Sequence, residues 1–264
     1  MSDLRLSIVV PVKDEEGNLR PLVEACRAGL GELYRRTEII LVDDGSTDQS
    51  LARMKELAAE DAGVRWIQFE RNCGQSAALD AGFKAARGEL VAMIDADMQN
   101  DPADLPAMVA LLDTGECDCV CGIRQKRMDS WVRRISSKIG NGTRNWLTHE
   151  TIKDVGCSIR VFRRELVAKV KMFKGMHRFL PTLLRLEGAR IKQIPVRHHP
   201  RTRGKTKYGI RNRLFSGLRD IFAVRWMQAR HVDYRIKAQS GTREAAAMTN
   251  DESRMTNGSN TSAE

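Results

Sequence analysis

The chain has 264 residues, 42% hydrophobic and 30% charged, with six cysteines and a net charge of +10. That balance excludes a disordered chain, and no apolar run approaches the roughly 18–20 residues a transmembrane helix needs. The opening MSDLRLSIVV lacks the basic end, apolar middle and small-residue site of a signal peptide, so the expectation is a cytoplasmic protein.

LSIVVPV (6–12) is rich in β-branched residues and predicts a buried strand. A helix follows over 18–34, with Leu19, Leu22, Val23, Cys26 and Leu30 at helical spacing. EIILVDD (38–44) predicts a second strand, and STDQSLARMKELAAE (46–60) a helix opened by N-capping residue types. VRWIQFE (64–70) predicts a third strand and GQSAALDAGFKAARG (74–88) a helix closed by Gly88. ELVAMID (89–95) predicts the fourth strand, 104–114 a helix, and CDCVCGI (117–123) the fifth strand. Strands alternating with helices predict an α/β fold, a mostly parallel sheet covered on both faces. Ligands bind such sheets beyond the carboxyl ends of the strands. Cys117, Cys119 and Cys121 alternate, so on a strand all three point to one face. Their spacing is not the C-x₂-C of zinc sites, and they are expected to be buried structural thiols.

The second half loses this rhythm. A helix is expected over 130–148, with Trp131, Ile135, Ile139 and Trp146 on one side. VGCSIRVF (155–162) and ARIKQIPVRHH (189–199) read as strands, 177–187 as a helix and PRTRGKTKYG (200–209) as a basic loop. A last helix over 210–230 places Ile210, Leu214, Leu218, Ile221 and Phe222 on one stripe. Beyond 238 the Ser/Thr/Asn/Gly-rich composition predicts a disordered tail. Charge divides the same way: the first 120 residues carry 12 Lys/Arg against 23 Asp/Glu, and residues 121–237 carry 30 against 7. An acidic half followed by a basic half predicts two jobs on one chain and an anionic partner for the second.

Acids cluster at three strand ends: Asp14, Glu15 and Glu16 after the first, Asp43 and Asp44 after the second, Asp95 and Asp97 after the fourth. Asp43-Asp44-Gly45-Ser46 could be no more than a turn leading to a helix cap. Asp95-x-Asp97 is harder to reduce to a turn, because alternate carboxylates leaving a buried strand repel unless a cation neutralises them. Hard divalent cations take oxygen ligands, Mg²⁺ often from one or two carboxylates plus substrate phosphates, and Gln99 adds an amide oxygen. No G-x-x-x-x-G-K-[ST] or G-x-G-x-x-G follows the first strand, so phosphate must be held by a metal and basic side chains.

SIVVPVKDEEGNL, EIILVDDGSTDQS, ERNCGQSAALDAGF and DADMQNDP resemble, in order and spacing, the nucleotide-sugar-binding half of inverting family 2 glycosyltransferases with the GT-A fold. DVGCSIRVFRR, HRFLP and Arg201-x-x-Gly204-x-Thr206-Lys207-Tyr208 are similar to polyprenol-phosphate sugar synthases of the dolichol-phosphate mannose synthase type. The resemblance implies a nucleotide-sugar-binding half over 1–123, a basic acceptor- and membrane-proximal half over 124–237, and a tail over 238–264. Pro11, Lys13, Glu15 and Asp44 would border the nucleoside, although relatives often carry an aromatic ring where this chain has Lys13. Asp95, Asp97 and Gln99 would hold Mg²⁺ or Mn²⁺ on the diphosphate of a GDP-mannose or UDP-glucose type donor. Asp97, Arg124 and Arg201 would be the catalytic residues. Arg124, Arg201 and Lys207 would face the acceptor phosphate. The implied partners are a nucleotide-diphosphate sugar, a polyprenyl phosphate lipid and an anionic membrane surface, with a separate anchoring subunit as an option. Such an enzyme would sit on the cytoplasmic face of the membrane as a peripheral protein.

Two rival readings stand beside this one. A family 2 enzyme with a hydroxyl acceptor would need a base, for which Asp154 is the candidate. A basic nucleic-acid-binding protein is disfavoured because aromatics make up only 5% of the chain and no recognition motif is present, so no nucleic-acid partner is expected. His198 and His199 would point to opposite faces of a strand and are not expected to share an ion.

Overall fold

The computed structural model describes residues 4–125, 142, 145, 151–200 and 210–232, with the backbone alone over 210–218. The expected helix at 130–148 lies outside this set except for residues 142 and 145, which are helical, and the 201–209 loop and the tail lie outside it entirely.

Seven strands form one sheet: β1 (Leu6–Val12), β2 (Thr37–Asp43), β3 (Val64–Gln68), β4 (Leu90–Met93), β5 (Cys119–Arg124), β6 (Arg160–Arg163) and β7 (Ile191–Val196). Their order is β3-β2-β1-β4-β6-β5-β7. All neighbours are parallel except that β6 runs antiparallel to β4 and β5. Because β6 reverses twice, the carboxyl ends of β4 and β5 lie on the same edge of the sheet. β1 and β2 are apolar on both faces because both faces are covered by helices.

The helices are α1 (Leu19–Leu30), α2 (Ser50–Glu60), α3 (Gln75–Ala85), α4 (Leu105–Asp113), the short α5 (Arg164–Val167), α6 (Leu180–Leu186) and α7 (Ile210–Arg230). One core cluster joins α1, α2 and α4 to residues such as Ile8, Val10 and Leu41; the other joins α3, α6 and α7 to Val9, Val42 and Phe162. Gly82 lets α3 lie directly on β1, since a Cβ there would come within 2.2 Å of Val9 Cγ1. This close seat fixes the height of the first turn of α3 above the sheet edge.

Several expectations change in detail. The 155–162 strand shortens to β6, the 189–199 strand to β7, and 177–187 divides into a 3₁₀ turn (Met176–Phe179) and α6. Cys119 and Cys121 do share a face, with sulfurs 3.8 Å apart, but Cys117 precedes β5 and packs in the opposite cluster. Burial pushes the Cys26 and Cys157 thiols up to about 12, as expected of unreactive core sulfur. Of the expected stripe on α7, Ile221 enters the core but Phe222 is about two thirds exposed; Val224, outside that stripe, is buried, and Trp226 is exposed like Phe222. Among the described residues, no helix is long and apolar enough to cross a membrane.

Asp118, just before β5, accepts from Arg190 Nε at 2.9 Å and Nη2 at 3.0 Å, and from Arg163 Nε at 3.4 Å. The Arg190 guanidinium holds this carboxyl at about 2, below its ordinary value of 3.8. A carboxyl depressed in the folded state contributes stability above its unfolded pKa and loses it as pH falls toward the folded value. Asp118→Asn is therefore expected to cost about 1–2 kcal/mol at pH 7, less than a full two-unit shift because Arg190 is largely exposed. Urea midpoints of the two proteins should converge as pH falls below about 4.

Candidate active site

β4 ends at Met93, and the chain continues through buried Ile94 and Ala96 while Asp95 and Asp97 take the alternate positions. Ile94 N–H still bonds Val9 C=O at 3.2 Å, so the acids leave a segment held by the sheet. Asp97 is only 8% exposed and its Oδ1 accepts from Gln99 N–H at 3.2 Å; Met98 between them takes a φ of 59°. Asp95 is half-buried, with Oδ1 accepting from Gln75 Nε2 at 2.8 Å. Among the described residues, no three His, Cys, Asp or Glu side chains form a metal-binding group. The Asp95–Asp97 pair is thus a partial oxygen set of the kind Mg²⁺ and Mn²⁺ complete with substrate oxygens and water.

The loops after β1 and β2 brace one another. Asp14, at φ 49°, donates its N–H to Ser46 Oγ at 2.9 Å and accepts Thr47 N–H at 2.7 Å. Glu15 N–H reaches Ser50 Oγ at 2.8 Å, and Glu16 accepts Gln49 N–H at 2.8 Å. Lys13 Nζ donates to Gly45 C=O and lies 3.5 Å from Asp14. Glu15 also accepts from Asn18 Nδ2 at 2.7 Å, and Pro11 sits half-buried in β1 opposite Val42. The Ser-Thr-Asp stretch read as a helix cap does both jobs: Ser46 and Thr47 join this brace, while Asp48 Oδ1 accepts Ser50 N–H at 2.9 Å where α2 begins.

Asp44, 4% exposed, accepts Cys73 N–H at 2.6 Å, Gly74 N–H at 3.0 Å and Asn72 Nδ2 at 3.1 Å. Gly74 turns at φ 92°, and Gln75 then opens α3 beneath it. A line of contacts therefore runs from Asp44 through residues 72–74 to Gln75 and Asp95. Sequence reasoning finds Asp44 and Asp95 but misses Gln75. Its signal is a polar residue opening a helix, which acquires meaning only once β1 is known to lie between β2 and β4.

At the end of β5, Arg124 grips Asp154 through Nε and Nη2, both at 2.8 Å, with its own N–H at 3.2 Å from the same carboxylate. The pair is largely shielded from water, the two side chains being 15% and 6% exposed. Gly156 makes room for it, since a Cβ there would meet Arg124 Nη2 at 2.7 Å. Asp154 is the candidate base of the hydroxyl-acceptor reading; here guanidinium donors cover both its oxygens, which opposes proton abstraction. Arg160 in β6 is buried and bonds Val155 C=O at 2.9 Å and His177 C=O at 3.0 Å, tying this loop to the 3₁₀ turn.

After β7, Arg197 bonds Asp104 and Asp101, His199 N–H donates to Gln99 C=O at 2.8 Å, and His199 Nε2 lies 3.3 Å from Asp101. The chain thus reaches Pro200 alongside the loop that carries Asp97 and Gln99. Arg201 and Lys207 lie outside the described residues.

A family model described as glycosyl transferase family 2 matches residues 7–171. A dodecaprenyl-phosphate galacturonate synthase of Rhizobium johnstonii is 39% identical over 228 residues, covering 85% of this chain and 67% of its own. An undecaprenyl-phosphate 4-deoxy-4-formamido-L-arabinose transferase of Edwardsiella ictaluri is 37% identical over 216 residues, covering 80% and 66%. The chain spans about two thirds of the length of these curated relatives. In fold it is similar to glucosyl-3-phosphoglycerate synthase from Mycobacterium tuberculosis in complex with Mn²⁺, UDP-glucose and phosphoglyceric acid. That likeness has a TM-score of 0.62 at 19% identity and covers 90% of this chain and 84% of that one. It is also similar to a mannosyltransferase from Pyrobaculum calidifontis in complex with GDP-mannose and Mn²⁺, with a TM-score of 0.60 at 14% identity, covering 95% and 80%. The chain's seven-stranded, mostly parallel sheet with its helices matches the GT-A fold of these neighbours. Four ordered sequence motifs, the matching architecture and two homologues above 30% identity converge: the chain belongs to glycosyltransferase family 2.

Proposed function

We propose that the chain transfers a sugar from a nucleoside-diphosphate sugar to a polyprenyl phosphate, with inversion at the anomeric carbon and with a divalent cation. The observation that carries this reading is that both curated relatives are named for polyprenyl-phosphate products or acceptors. Asp95, Asp97 and Gln99 would hold Mg²⁺ or Mn²⁺, and Mn²⁺ in two fold neighbours supports a divalent ion there. When bound, the ion would act as a Lewis acid on the leaving diphosphate. Pro11, Lys13, Glu15 and Asp44 would border the nucleoside; for Asp44 the role is to hold the 72–74 backbone around it.

The acceptor explains why no strong base is needed. A phosphate monoester has its second pKa near 6 and is already largely an anion at neutral pH. The residues must instead screen two anionic substrates from one another. Arg124 would do so as half of a near-neutral pair with Asp154. The unbalanced positive charge would come from Arg201 and Lys207, in the loop that starts one residue beyond the His199–Gln99 contact. Exposed Phe222 and Trp226 beside exposed Arg219 and Arg225 support docking on an anionic cytoplasmic leaflet.

The test is transfer of radiolabelled sugar from UDP- and GDP-sugars, UDP-galacturonate included, into organic-extractable lipid. Purified full chain, undecaprenyl or dolichyl phosphate and Mg²⁺ or Mn²⁺ are required. The expected result is metal-dependent lipid product from one donor. Label appearing only in a hydroxyl acceptor or in free sugar would overturn the reading.

A further inference from the structure

We propose that Gln75 is a positioning residue for the cation site: its amide N–H fixes Asp95 Oδ1 and so aims the carboxylate at the ion. This rests on the cation reading above. Gln75 and Asp95 come from different elements, α3 and the exit of β4, and meet at 2.8 Å. A carboxylate only accepts hydrogen bonds, so the contact defines which end of the amide faces Asp95.

Gln75 is mounted rigidly on both sides. Before it, Asp44 takes the N–H groups of Cys73 and Gly74. After it, buried Ser76 accepts Gly175 N–H at 3.0 Å and lies 2.8 Å from His177 Nδ1. Arg160, reaching His177 C=O, and Arg178, bonded to Asp220 at 2.7 Å, hold the 175–178 turn against Ser76 in turn. Below, the Gly82 contact sets α3 on β1.

The residue type also matters. An amide stabilises the carboxylate without cancelling the negative charge that attracts a cation. Lysine or arginine at 75 would compete with the ion, and glutamate would add a third negative charge beside Asp95 and Asp97. Partners that orient metal-binding carboxylates typically matter about 10–100-fold in metal affinity.

The test is Mn²⁺ binding to the full chain, read by electron paramagnetic resonance with Mn²⁺ alone and with UDP or GDP. Gln75→Ala and Gln75→Met are the variants; methionine keeps the length while removing the donor, and carries the test if alanine impairs folding. The expected result is Mn²⁺ binding weakened about 10–100-fold, with the protein folded in EDTA and its urea midpoint lowered only by the loss of one hydrogen bond, on the order of 1 kcal/mol. The Mn²⁺ concentration for half-maximal transfer should rise by the same factor, with kcat largely recovered at saturating Mn²⁺. Wild-type Mn²⁺ affinity in the Gln75 variants, alongside lost binding in Asp95→Ala, would overturn the inference and leave the cation reading intact. Unchanged affinity in Asp95→Ala as well would overturn both.

Discussion

Asp97→Ala is expected to abolish metal-dependent sugar transfer. Asp97 is nearly buried two residues from Asp95, so in the absence of a cation the pair is a source of repulsion. The proposed cation supplies several kcal/mol to the departing diphosphate, so transfer should fall roughly 10³-fold or more. Two measurements check this: the initial rate with donor and Mn²⁺, and the thermal midpoint with and without Mn²⁺ plus nucleotide. A ligand at 100 times its Kd stabilises by about 2.7 kcal/mol, a gain the wild type should show and the variant should lack. A variant with normal rate, or with a preserved metal-dependent shift, would remove Asp97 from the cation site.

The second large effect concerns Arg124 and Asp154. Removing one member of a buried pair strands the other charge, typically at about 3–5 kcal/mol, whereas removing both does not. Asp154→Ala and Arg124→Ala are each expected to lower the unfolding free energy by about that much, and the double variant by much less than their sum. Urea unfolding of the four proteins measures the coupling. The pH dependence of transfer separates the lipid-phosphate reading from its hydroxyl-acceptor rival: a general base at Asp154 would make the rate fall as that carboxylate takes up a proton, and Asp154→Asn would remove this dependence together with transfer to a hydroxyl.

How far the sequence discloses these features depends on whether the determinant is local. β1 and β2 are rich in β-branched residues, β4 is a short apolar run, and all three are bounded by polar turns, so no neighbouring element is needed to recognise them. The acids after β4 are legible for the same reason: a buried strand that ends in Asp-x-Asp breaks its own pattern. β6 is different. Its extent is set by its partners, since β4 offers only Leu90–Met93 to pair with Arg160–Arg163, so residues 155–159 remain a loop despite strand-like composition. Cys117 misleads similarly, because period-2 alternation holds only inside the strand and β5 begins at Cys119. The Arg124–Asp154 and Gln75–Asp95 contacts span 30 and 20 residues, and no local spacing encodes them. On α7 the helical period is correct, but a stripe drawn through Ile221 and Phe222 is too wide for one face to be buried.

The antiparallel strand in the middle of the sheet also dictates an order of assembly during synthesis. β4 and β5 are complete once residue 124 has emerged, yet neither can join the other in the sheet until residues 160–163 arrive between them. A nascent chain therefore carries two open strand edges for the length of that delay, and exposed edges invite wrong partners. A chain truncated after residue 125 would keep those edges permanently, so it should aggregate even though it retains the loops that carry Asp14, Asp44, Asp95 and Asp97. The last strand to enter the middle of the sheet is the one that turns a set of motifs into a folded protein.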